Sequence, residues 1–283
     1  MLNLDPAISK IEELLKEGTE ATITYAALEC RLAIERICYE RLRLAHDYIS
    51  HDDLKKWQPR DIVKILIQEV DSSAAETFTV SISTSVTPEG TTDLTLADYQ
   101  AMDYSPIGTQ VGFNPNKLGR LWNALANLAL HISLPINKAD NLRHYGDKEA
   151  VSKKVSEALA EIKRISEGTL MFTGLGEEVS FSCECGSTNK RRLELLSDGQ
   201  IVSCVKADCG ESYRFAKSDL LFERRTFEIV CQICDTRHHI AKKRVQKLRT
   251  DQPALFFCEG CGDTIQLSWR LNSGQKIKTV DPE

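Results

Sequence analysis

The sequence predicts an α+β protein: an N-terminal helical bundle with a β-hairpin insertion, followed by two tandem zinc-ribbon modules. Three observations carry that expectation. Apolar residues recur at helical spacing over most of the first 170 positions, and the period drops towards two near residues 78–86. Eight of the ten cysteines fall between Cys183 and Cys261 in close pairs, whereas Cys30 and Cys38 stand alone. Charge divides at the same place: residues 181–283 hold 17 Lys and Arg against 14 Asp and Glu, and the preceding 180 hold 19 against 27. A length of 283 residues suits two compact units better than one.

The helical domain is expected over residues 1–170. Asp5-Pro6 sets a cap before a proline at the first helical position, opening a helix to about Glu17 that Gly18 ends. Thr19 caps a second helix running to about Ser50, with Ile23, Cys30, Ile34, Ile37 and Leu44 on one stripe. A third, from roughly Arg60 to Val70, follows Trp57-Gln58-Pro59. Phe78, Val80, Ile82 and Val86 then sit two or four apart. Pro88-Glu89-Gly90 turns the chain before Leu94 and Leu96, which predicts a β insertion at about 77–97. Helices resume at Asn114-Pro115, where Leu118, Leu121, Trp122, Leu125, Leu128, Ala129 and Ile132 make a core stripe that Pro135 stops. The last helix covers about Lys148 to Glu167, and a Gly-rich stretch, Gly168 to Gly176, leads out of the domain.

The first ribbon is expected over 177–222 and the second over 226–272, with a tail at 273–283. Cys183-x-Cys185 with Cys204-x4-Cys209, and Cys231-x2-Cys234 with Cys258-x2-Cys261, each supply four thiolates, the set for a closed structural zinc site. Gly186, Gly210 and Gly262 each follow a cysteine, where a knuckle needs permissive backbone. The start of the chain does not read as a secretion signal, so a cytoplasmic location and metal binding, rather than a disulfide framework, are expected. No apolar run reaches the roughly 18 residues that cross a bilayer, so no membrane partner is expected. With every thiolate engaged, the two zinc ions read as structural cofactors. A His-x-Glu preceding Pro-Cys-x-x-Cys, the zinc deaminase pattern, is missing, as is a GxxxxGK[ST] loop.

Between the knuckles of the second pair runs a basic stretch, Arg237-His238-His239 and Lys242-Lys243-Arg244 with Lys247 and Arg249. Phe256, Phe257 and Trp269 are near in sequence and could stack bases. Arg237, His238, Lys242, Lys243 and Arg244 are therefore candidate RNA contacts, with docking of an acidic protein as the rival. Eight thiolates and two Zn²⁺ add about −4 to the domain, so only the local patch is basic.

Two places in the helical domain could carry chemistry. In Arg41-Leu-Arg-Leu-Ala-His46-Asp-Tyr48, Arg41 falls in the middle of the stripe made by Ile34, Ile37 and Leu44. A guanidinium there must be paired, or face a polar groove or a partner subunit. His46 is about 140° further round the helix. On the helix after Pro115, Arg120, Asn123, Asn127 and His131 share the face opposite the core stripe. That face is either solvated or an interface for phosphate.

A helical bundle with Arg41, His46 and Tyr48 as an Arg-x4-His-x-Tyr string, and a later helix carrying Asn127 and His131, resembles the HEPN superfamily of ribonucleases. With the cysteine pairs added, it is similar to the ring-activated zinc-finger RNases of phage defence. The late helix departs from the family pattern in having Asn where arginine is usual, which leaves open which histidine acts. The resemblance implies metal-independent RNA cleavage in a groove between protomers, hence a homo-oligomer acting as a toxin or defence effector. It also implies a phage-encoded trigger protein as a partner. Arg41, His46, Asn127 and His131 are its catalytic candidates: imidazole for proton transfer at the ribose 2′-OH or 5′-oxygen, and guanidinium for charge on phosphorus. The alternative reading is a non-catalytic adaptor with a helical oligomerisation domain and ribbons that bind nucleic acid or protein.

Overall fold

The computed structural model describes residues 3–50, 54, 59–85, 94–132, 144–171, 176–249 and 253–268. The chain is mixed α+β, with an N-terminal helical region and several small antiparallel sheets. It divides into two compact units, Met1–Ser180 with Lys190–Leu196 and Phe181–Asn189 with Ser197–Glu283. The division falls inside a hairpin rather than in the glycine-rich stretch, so residues 177–180 and 190–196 group with the helices.

In the first unit, α1 (Asp5–Glu17) ends at Gly18, whose φ of 68° turns its N–H back to the Leu14 carbonyl. Thr19 and Thr22 form a reciprocal capping box at the start of α2 (Glu20–Leu44). The buried side of α2 is rich in small residues, Ala26, Ala27, Cys30 and Ala33, with Ile34 and Ile37. Small residues permit close approach of α6 (Lys148–Ser166), which contributes Val151, Val155, Ala158 and Ile162 to the same core. Each fully buried Ile or Leu there adds about 1.5–3 kcal/mol of apolar burial.

α2 stops at Leu44 rather than near Ser50, and Leu44 itself is 42% exposed, off the core stripe. The reason is a second small core. Ala45, Tyr48 and Ile49 pack with Ile62, Leu66 and Val70, the first two of which belong to α3 (Pro59–Glu69). A continued helix would splay Tyr48 and Ile49 about 100° apart; the turn at residues 45–48 buries both.

The β insertion is larger than its sequence signal. β1 (Phe78–Ser83) pairs antiparallel with a strand at Tyr104–Gln110, here β2, from Phe78↔Gln110 to Ser83↔Tyr104. The expected second strand around Leu94 and Leu96 is corrected. Thr95 and Asp98 make a capping box, so Leu96 opens a short helix, α4 (Leu96–Ala101). Pro106 and Gly108 inside β2 disguised the true partner. The turn expected at Pro88-Glu89-Gly90 lies outside the described residues. At the root of this ribbon the Gln110 amide donates to the Ser73 and Glu76 carbonyls at 3.4 and 3.3 Å. A Cβ at Gly112 would lie 2.4 Å from the Ala75 oxygen, so only glycine passes there.

Asn114 caps α5 (Pro115–Leu125). The helix does not continue straight to Ile132: residues Ala126–Leu130 form a π turn.

The second unit is made of short strands. β3 (Glu178–Ser182) and β4 (Thr188–Arg192) form the hairpin that the division crosses. β5 (Ile201–Ser203), β6 (Ser212–Ala216) and β7 (Leu221–Arg224) form a sheet in that order. Phe181, Tyr213, Phe215 and Phe222 supply its aromatic core, with ring centroids 4.3–5.1 Å apart. A single residue, Arg225, joins β7 to β8 (Thr226–Val230), which pairs with β9 (Arg237–Ala241). α7 (Lys242–Gln246) follows, then the hairpin of β10 (Ala254–Phe257) and β11 (Thr264–Leu267). Among the described residues no helix is long and apolar enough to cross a membrane.

Candidate metal centres and the flanking cationic surface

The sulfurs of Cys183, Cys185, Cys204 and Cys209 all lie within 4.8 Å of one another, as do those of Cys231, Cys234, Cys258 and Cys261. The closest approaches are 3.6 Å for Cys183–Cys209, 3.7 Å for Cys185–Cys204, 3.9 Å for Cys231–Cys261 and 3.5 Å for Cys234–Cys258. A tetrahedron of Zn–S bonds of about 2.3 Å has edges of about 3.8 Å, whereas a disulfide would bring sulfur to about 2.05 Å. Each cluster could hold a metal ion, and its dimensions and donor set fit zinc.

The local sequence explains how four sulfurs converge. The residue after the second cysteine of each pair adopts left-handed backbone: Gly186 at φ 82°, Gly210 at 75°, Asp235 at 56° and Gly262 at 78°. The amides of Gly186, Asp235 and Gly262 then turn back onto the carbonyls of Cys183, Cys231 and Cys258, at 2.8, 3.0 and 2.8 Å. Three of these positions are glycine, and the sequence signals them. Asp235 is the fourth, held in a conformation that costs a non-glycine residue about 1–2 kcal/mol.

Polar neighbours favour thiolate at one cysteine of each cluster, whereas Cys204, Cys209 and Cys261 are pushed up. The Thr236 hydroxyl, 3.1 Å from Cys234 Sγ, together with the Thr236 amide, pulls that thiol down to about 6. At Cys185 burial works the other way. The Ser187 hydroxyl and amide, with the neighbouring thiols, outweigh it and bring that group to about 6 as well. Burial, helped by the nearby carboxylates of Glu29 and Glu35, pushes Cys30 and Cys38 up to about 12, so these two stay protonated in the helical core.

His238 was expected to contact RNA. Instead it is buried, with Nε2 3.3 Å from Cys258 Sγ and its ring edge against Phe256. Alternation along β9 accounts for the exchange: His238 points inward and His239 outward.

The remaining cationic candidates are not a loose loop but lie on β9 and α7. Arg244 Nε and Nη2 donate to the Cys209 carbonyl at 3.1 and 2.9 Å, and its stem covers Gly210, where a Cβ would lie 2.8 Å from Arg244 Cγ. Lys243 Nζ donates to Ser203 Oγ at 2.9 Å. These two tie the second cysteine module to the first. Lys242 sits 5.4 Å from the centre of the Phe227 ring, and the exposed Arg237 pairs with Glu228 at 3.4 Å. Trp269 lies outside the described residues. Between the modules opens a cavity of about 560 Å³ bordered by Arg224, Arg237, Arg244, His239, Phe256 and Phe257, with Glu184, Glu211 and Glu259 also at its wall. Phe257 is 75% exposed.

The helical candidates separate. Arg41 points into the protein. It is 8% exposed, donates to the Ala74 carbonyl and, at 3.2 Å, to that of Val111, and lies over the Phe113 ring. Burial lowers its pKa to about 10, against the opposing pull of Cys38 and Asp71. A phosphate cannot reach a guanidinium so engaged, which corrects its place among the catalytic candidates. Tyr48 is also inward, its hydroxyl donating to Glu178, which Lys190 and Arg192 flank at 3.0 and 3.6 Å. His46 faces out beyond the end of α2, with Nδ1 3.8 Å from the Asp47 carboxylate. Asn127 and His131 are both exposed, but the π turn replaces the four-residue stacking expected of them, and His131 is already extended at φ −126°. Sequence reasoning missed the Arg31–Trp122–Glu35 contact. Arg31 lies 4.1 Å over the Trp122 ring, whose Nε1 donates to Glu35 at 2.8 Å, joining α2 to α5.

Compared with protein-family models, curated proteins and solved structures, the chain matches none.

Proposed function

We propose that the chain is an adaptor whose C-terminal unit, two zinc ribbons, binds nucleic acid, RNA in the first instance, while the helical unit serves self-association rather than chemistry. One observation carries the reading. Arg244 and Lys243 bolt the second cysteine module to the first, so Arg237, Lys242, His239 and the exposed Phe257 stand on a single body. Cations for phosphates beside an aromatic face for a base are the two parts that single-stranded nucleic acid needs. Exposed Tyr25, Leu28 and Leu32 on one side of α2 support the self-association part. The test is fluorescence anisotropy of the zinc-loaded chain with single-stranded RNA over a salt series. Binding that weakens steeply with salt, without cleavage of the RNA, is the expected result. Salt-independent binding, or none, would overturn it.

A second reading, a metal-independent endoribonuclease acting as a toxin or defence effector with a phage-encoded trigger, rests on the exposed His46 with Asp47 beside it. It must work without Arg41. Total RNA incubated with the chain and with His46→Ala and His131→Ala variants separates the readings: cleaved ends bearing cyclic phosphate, lost in one variant, would favour the enzyme.

A further inference from the structure

We propose that the C-terminal unit carries a second anion site, built from Arg214, Arg225 and Lys242, that takes a phosphodiester of the nucleic-acid backbone. The site deepens the nucleic-acid reading, and rests on it only for the source of the phosphate.

These three residues border a cavity of about 480 Å³, separate from the cleft described above although Arg224 lines both. Their backbones are fixed. Arg214 is on β6, the central strand of its sheet. The Arg225 N–H donates to the Ser212 carbonyl at 2.9 Å, and the Arg225 carbonyl accepts from the Lys242 N–H at 3.0 Å. The joint between the modules therefore presents two cations from opposite ends of one hydrogen bond. Gly199, at φ 74°, keeps the wall low: a Cβ there would lie 3.4 Å from Arg214 Nη2.

The charge balance points to an anion. Arg224 is neutralised by Glu211, which grips it at 2.8 and 2.9 Å. Among the described residues, Arg214, Arg225 and Lys242 form no ion pair; Lys242 has only the face of Phe227. Glu223 also borders the cavity, directly across the strands from Arg214, and is its single carboxylate. Three cations against one acid leave a surplus that the fold itself does not use. Guanidinium groups match phosphate oxygens two at a time, and a lysine adds a point charge. The volume is enough for a nucleotide unit around a phosphodiester.

The experiment uses the full, zinc-loaded chain with labelled single-stranded RNA, and compares Arg225→Ala, Arg214→Ala and Arg225→Lys. Zinc content of each variant is measured to verify the fold. Arg225→Ala is expected to weaken binding about ten-fold and to lower the salt slope by about 0.7 for the one lost contact. Arg225→Lys should recover most of the slope but less of the affinity. If the wild type binds RNA and both alanine variants match it in affinity and slope, this site is overturned while the nucleic-acid reading stands. If the wild type ignores RNA yet binds inorganic phosphate in a ³¹P titration that Arg225→Ala abolishes, the site stands and the nucleic-acid reading falls. Binding of neither probe by the wild type overturns both.

Discussion

His238 stands behind the second cysteine cluster, with its Nε2 3.3 Å from the sulfur of Cys258. An imidazole N–H aimed at a thiolate spreads the sulfur's charge and fixes its direction, a supporting contact whose loss typically costs 10–100-fold in metal affinity. His238→Ala is accordingly expected to weaken zinc binding at one of the two sites by about that factor, and to leave the other unchanged. Chelator competition followed by metal release would show two classes of site in the variant and one in the wild type. Equal release from both would sink the assignment.

Zinc removal should act on one unit only. The C-terminal unit is held by short strands, and its sulfurs converge where an ion would bind them, whereas the helical unit is held by a large apolar core. Chelation at neutral pH should reduce the strand signal to that of the β1–β2 ribbon and expose Tyr213 and the neighbouring phenylalanines, while the helical circular dichroism persists. Loss of both signals together would show that the helices depend on the metal as well.

Arg41→Met tests whether that guanidinium is structural. The substitution strips the Ala74 and Val111 carbonyls of their donor and is expected to cost about 2–4 kcal/mol in urea unfolding. RNA affinity and zinc content should not change. A variant of wild-type stability that loses an RNA-dependent activity would restore Arg41 to the chemistry.

Glu161 gives the helical unit an acid limit. Its carboxylate is buried between Lys117 at 2.6 Å and Arg164 at 2.6 Å. Burial raises its pKa, but the hydrogen bonds from Arg164 and Lys117 outweigh it and hold the group below the ordinary glutamate value. A depressed folded pKa stabilises the protein above the unfolded value of about 4.3, and the contribution disappears as pH falls through the folded one. Glu161→Gln should lower stability at pH 7 by about 1–3 kcal/mol and flatten the acid limb of the stability profile. An unchanged limb would place the acid sensitivity elsewhere.

Asp235→Gly should stabilise the second cluster. The residue holds φ 56°, which glycine adopts without steric cost. A gain of about 0.5–1 kcal/mol is expected, seen as slower zinc release. Faster release would mean that the aspartate side chain contributes to the knuckle.

Features set by neighbours in sequence were legible. Gly18 and Thr19 announce the α1–α2 turn, and cysteine spacing with Gly186, Gly210 and Gly262 announces both knuckles. Features set by distant chain were not. Arg41 finds its acceptors 33 and 70 residues away, so an inward cation looked the same on paper whether it served a core or a catalytic groove. The π turn at Ala126–Leu130 changes the helical period without changing composition, which is why Asn127 and His131 read as stacked neighbours. β2 carries Pro106 and Gly108, residues that signal a turn, and becomes a strand because Phe78–Ser83 offers it an edge. His238 and His239 look alike in sequence, and only the pairing of β9 with β8 decides which one meets sulfur.

Arg225 leaves no slack between one cysteine module and the next. A linker of one residue, with both its peptide groups already hydrogen-bonded, makes the pitch from the first cluster to the second a fixed property of the chain, like the tooth spacing of a gear. Lengthening it by a few glycines would spare each cluster on its own, yet any ligand spanning the two, such as the RNA proposed above, would meet its contacts out of phase.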